Sequence, residues 1–153
     1  MKRDPDIQRV EERMAPRVLS LDGFLGADHR PLEEILDADR RDVEQMGLSN
    51  QLIGRRLSEL IDKTVAMLGR PLHVGNIKAT YSEAMGRMPC PWADGRFPKG
   101  EIEILDESKG LRLLVTPSSG HMIEHHGFYE GRGSRYRVDP ALAAELLGLT
   151  ALP

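Results

Sequence analysis

The chain has 153 residues, 40% of them hydrophobic and 29% charged, and a net charge of -3. That is about one domain's length with ordinary globular usage, which excludes wholesale disorder and argues against a surface that is one continuous nucleic-acid footprint. A single cysteine, Cys90, excludes an intramolecular disulfide, and aromatics at 5% leave the core to Leu, Ile, Val and Met.

Residues 1–30 read as an N-terminal arm or extension. The chain stays charged from Lys2 through Arg13 with no apolar stretch behind it, so no signal peptide is expected. The longest apolar runs are a few residues, against about 20 for a membrane span, and the expectation is a cytoplasmic protein without a membrane partner. Ile7, Val10 and Met14 share one helical face, which Pro16 ends. Residues 18–26 are apolar and glycine-punctuated, either a strand or a packed loop.

Residues 31–69 predict a helical hairpin. Pro31 with Glu33 and Glu34 opens the first helix. Leu32, Ile35, Leu36, Val43 and Met46 form its buried stripe, Asp39, Arg40, Arg41 and Glu44 its solvent side, and Gly47 its end. Ser49 is the N-cap of the second helix. Its stripe is Ile53, Leu57, Leu60, Ile61, Thr64 and Leu68, closed by Gly69 and Pro71.

Residues 71–153 read as a β-rich part with short helices. The run 72–81 alternates as one strand. Residues 86–100, rich in Pro and Gly, predict a long loop. Residues 101–104 and 111–115 make a hairpin around the turn 106–110. His121 to His126 fits a short helix stopped by Gly127, and Asp139 caps a last helix from Pro140 to Leu147. Grouped helices and grouped strands predict a single α+β domain. An N-terminal helical hairpin packs on a small, mostly antiparallel sheet of three to five strands, and a short C-terminal helix closes it.

Three residue groups point to chemistry. The first is Cys90 and Asp94, four apart in a turn-rich loop, with His121 and His125, four apart on one helix face. One sulfur, one oxygen and two imidazoles suit four-coordinate zinc, the cofactor this set implies. The competing structural explanation is a buried cysteine plus a helix C-terminus capped by histidines.

The second group is basic. Lys109, Arg112, Arg132, Arg135 and Arg137 outnumber Glu124 and Glu130 in 109–137. Arg132, Arg135, Tyr136 and Arg137 lie in a glycine-loosened loop suited to a small anionic ligand through guanidinium forks and backbone amides. The third group is the hairpin 31–69 read as an adaptor or DNA-binding element, with Arg55 and Arg56 toward the groove. Its acidic first helix would be repelled by a phosphate backbone.

No Gly-x-Ser-x-Gly elbow, P-loop or dinucleotide fingerprint occurs, so an enzyme is disfavoured. The leading functional expectation is a small binding module, with a ligand or anion site formed by the 86–100 loop and the 120–137 segment. A zinc-binding protein is the alternative. The arm leaves room for exchange between subunits in a homo-oligomer.

Overall fold

The computed structural model describes residues 3–149; residues 1–2 and 150–153, the outer ends of the arm and of the β-rich part, lie outside the described residues. The order of elements is α1 (Pro5–Arg13), α2 (Leu32–Gln45), α3 (Asn50–Val65), β1 (Leu72–Val74), β2 (Ile77–Pro89), β3 (Arg96–Asp106), β4 (Leu111–Val115), α4 (Ser119–His126) and α5 (Pro140–Leu146). The fold is α+β, and its four strands form an antiparallel sheet in the order β1-β2-β3-β4.

Side chains alternate across this sheet, so one face collects the core. Tyr81, Ile102 and Val115 lie opposite one another across β2, β3 and β4, and Ala79, Ile104 and Leu113 form the next row. All six are buried against Ile53, Leu57 and Ile61 of α3 and Ala143 and Leu146 of α5. Glu103 and Arg112 pair on the other face.

The α2–α3 hairpin is present. Ser49 caps α3 by accepting from the Leu52 amide at 3.1 Å. Two details differ from the pattern. Asp39 is buried rather than solvated, because Arg137 reaches it from the C-terminal segment. Leu68 is exposed, because α3 ends at Val65 and the backbone turns left-handed at Leu68.

The strands depart further. The run 72–81 is not one strand; it folds back at Gly75-Asn76, with Val74 opposite Ile77 and Gly75 at φ 57°. A two-residue turn needs that positive φ, which glycine accepts without strain. The expected loop 86–100 is mostly strand. β2 and β3 stay paired out to Pro89 and Arg96, leaving only 90–95 as the loop. A register shift between Ala84 and Arg87 absorbs Gly86, and bulges are where a ladder tolerates such residues.

The arm packs as a second core. Val10 and Met14 of α1, Phe24, and Leu32 and Ile35 of α2 enclose Cys90, Met122 and Phe128. Residues 18–26 are turns rather than a strand. Backbone bonds from Gly131 N to Phe24 O (2.9 Å) and Ala27 N to Arg132 O (3.0 Å) seam the arm to the 130–134 loop.

Candidate metal centre

The 90–95 loop is shaped by its own backbone. The Cys90 amide donates to Gly95 O at 2.9 Å, and the Ala93 amide to Cys90 O at 2.8 Å. Ala93 takes φ 60°, which turns Asp94 back toward Cys90. From α1, Arg13 Nε donates to Pro91 O at 2.5 Å and ties the loop to the arm.

The helix α4 comes to this loop because α3 lets it approach. A Cβ on Gly54 would fall on the Glu124 backbone, and one on Gly120 would fall on Ser58. Glycine at both points allows backbone-to-backbone contact, which sets the depth and rotation of α4. Gly127 ends the helix at φ 65°, with its amide on Ile123 O.

Cys90, Asp94, His121 and His126 meet at this junction, with one ligand atom from each lying within 4.8 Å of all the others. His121 Nε2 donates to Asp94 Oδ1 at 2.9 Å, and His126 Nε2 donates to Asp94 Oδ2 at 2.7 Å. One carboxylate thus holds two imidazoles inward. The His126 ring lies flat on Trp92, with centroids 4.2 Å apart and planes 2° apart. Phe97 packs against His121 at 4.9 Å.

The electrostatics follow from depth. Cys90 is buried, which pushes its thiol up to about 12, and the neighbouring Asp94 carboxylate adds to the rise. Burial alone would raise Asp94, but hydrogen bonds from Cys90, His121 and His126 hold it well below the usual carboxylate range. Burial lowers His126, and Asp94 only partly offsets this.

Of the four residues the sequence pointed to, the structure brings together Cys90, Asp94 and His121. His125 is exposed, with its Nε2 3.8 Å from Glu124, and it stands outside the group. His126 takes the fourth place. Helical spacing favoured the i,i+4 pair, but His126 is the last helical residue and its ring is fixed by Trp92. The one signal for it in the sequence was an aromatic two residues after the cysteine.

The basic-loop residues are placed differently from one another. Arg137 is turned inward, donating to Asp39 Oδ2 at 2.6 Å and Oδ1 at 2.8 Å. Arg135 Nη2 donates to Glu101 at 2.7 Å, and the Tyr136 hydroxyl donates to the same oxygen at 2.9 Å. Arg132 is exposed. Arg55 and Arg56 are exposed on α3. No helix among the described residues is long and apolar enough to cross a membrane.

No family model, curated protein or solved structure matches the chain.

Proposed function

We propose that this protein binds one zinc ion between the β2–β3 loop and α4, through Cys90 Sγ, an Asp94 oxygen and the imidazoles of His121 and His126. The observation that carries this reading is the convergence of four donor atoms within 4.8 Å. Tetrahedral zinc with Zn–N near 2.0 Å and Zn–S near 2.3 Å sets its donors about 3.5 Å apart. A small contraction of the existing group reaches that spacing.

The donor types favour zinc among the divalent ions. Thiolate and imidazole disfavour magnesium and calcium, which take oxygen. Four protein donors close the coordination shell, as in structural rather than catalytic sites. The ion's role is then to join two segments that otherwise touch through side chains alone, and to fix the loop that carries Trp92. Aromatic packing by Trp92 and Phe97 holds the two imidazoles in place before the ion arrives, which lowers the ordering cost of binding.

Elemental mass spectrometry of untagged protein, after dialysis against metal-free buffer, tests this. The expected result is close to one zinc per chain, lost in Cys90→Ser. Absence of zinc, persisting after zinc is added back, would remove the reading.

A further inference from the structure

A cavity of about 300 Å³ opens beside the N-terminal end of α4, between the arm, Met88 near the end of β2, and the 130–136 loop. Glu130 is its most unusual wall. It is 3% exposed, and its backbone is left-handed at φ 67° without being glycine. Such a conformation is strained for a residue with a Cβ and persists only when neighbours impose it. Here Arg137 imposes it, its Nη1 donating to Glu130 O at 2.8 Å while the same guanidinium is anchored on Asp39. The Gly131 amide, bonded to Phe24 O, fixes the next residue.

The side chain is only half satisfied. Ser134 Oγ donates to Glu130 Oε1 at 2.6 Å, and among the described residues nothing donates to Oε2. No fully buried side-chain oxygen or nitrogen there lacks a partner, so Oε2 retains access to the cavity. A carboxylate oxygen that meets only a narrow cavity and has no protein donor is poorly solvated, and a ligand donor relieves that cost.

The rest of the lining decides the ligand's charge. Asp22 is a second carboxylate in the wall. The one guanidinium lining the cavity, Arg135, is already on Glu101. Arg137 is committed to Asp39. An anion would therefore meet two carboxylates and no free cation, whereas a cation meets an open carboxylate oxygen. Thr116 and Ser118 bond one another at 3.1 Å and offer hydroxyl oxygens, while Leu21, Phe24 and Met88 supply an apolar side. Leu21 is 74% exposed at present, and a ligand would cover it.

We propose that this cavity binds a small primary amine, with its ammonium group on Glu130 Oε2 and a short alkyl portion on Leu21, Phe24 and Met88. The site is separate from the metal centre and does not depend on it. It also reverses the charge expected from the arginine-rich sequence of 132–137.

The test uses three ligands of one shape and different charge: butylammonium, butanol and butyrate. Each is titrated at about pH 8, where the carboxyl is ionised, and amide chemical shifts of Gly23, Ser118 and Gly133 are followed. Butylammonium should give saturable shifts at these amides, with affinity falling at least about tenfold in Glu130→Gln, consistent with loss of a charge-assisted bond. Leu21→Arg, at an exposed position that folding does not depend on, should weaken binding several-fold by placing like charge at the mouth. A lysine-bearing peptide binding more tightly than butylammonium would assign the ammonium to a partner protein and contradict a free amine. Equal shifts from all three ligands, preference for butyrate, or no saturable shift would overturn the proposal. Zinc content measured on the same Glu130→Gln sample should be unchanged, so the two sites fail independently.

Discussion

Gly54 of α3 lies so close to the backbone of Glu124 on α4 that a single added methyl group would overlap the Glu124 nitrogen. The two histidines of the metal group ride on the helix held by this contact. Gly54→Ala should therefore act twice. It should destabilise the fold by about 1–3 kcal/mol through overpacking, read from urea unfolding of metal-free protein. It should also weaken zinc binding without touching a ligand. A variant of normal zinc affinity would show that α4 is positioned by something else.

The Asp39–Arg137 pair is a buried, two-point ion pair, with Asp39 nearly inaccessible. Removing one partner leaves the other charged and unpaired, so Asp39→Asn should cost about 3 kcal/mol or more in unfolding free energy. Replacing both by apolar residues should cost clearly less than the sum of the single changes. Additive single and double variants would mean the pair is not energetically coupled.

Glu130 makes a pH prediction whose sign is fixed by its environment. Burial pushes its carboxyl up from 4.5 to about 7, with Ser134 and Arg137 only partly offsetting the rise. A raised folded-state value means that its contribution to stability is fully present below the unfolded value and is lost as pH climbs through the folded one. Between about pH 4.5 and pH 7 the wild type should lose up to about 3 kcal/mol relative to Glu130→Gln. Unfolding curves of the two proteins across that range check it. Parallel pH profiles would show that Glu130 is not strained by burial.

The chain's single tryptophan reports on the metal group. Trp92 is stacked on His126 and edge-packed with Phe128 at 5.6 Å. Zinc drawn onto His126 changes the electronic character of the stacked ring, so tryptophan fluorescence should change in step with zinc and reverse with a chelator. His126→Ala should abolish the response. Zinc uptake without any change in fluorescence would place the ion away from Trp92.

The helices were legible because their stripes, caps and stop residues agree: Ser49 and Asp139 cap as the pattern required, and Gly127 ends α4. The hairpin of β3 and β4 was legible from clean alternation. What misled was glycine and proline. Gly75-Asn76 marks a turn inside what reads as one strand, and Gly86, Pro89, Pro98 and Gly100 sit within paired strands that their composition argues against. The β2–β3 ladder resumes beyond the bulge at Arg87 and Pro98, and such pairing is not local information. The same holds for the site. Cys90, Asp94 and His121 stand out by type, whereas the choice between His125 and His126 depends on Trp92 and the rotation of α4 on Gly54. Arg137 reads as a solvated or anion-binding residue until Asp39, far away in the chain, is seen beneath it.

The most direct measurement compares zinc affinity, by competition with a chromophoric chelator, in wild type, His125→Ala and His126→Ala. The geometry predicts near wild-type affinity for His125→Ala and a loss of about 100-fold or more for His126→Ala, at least as large as removing a supporting residue of a metal site. Affinity lost in His125→Ala and kept in His126→Ala, or no measurable zinc affinity in the wild type, would contradict the Cys90, Asp94, His121 and His126 centre.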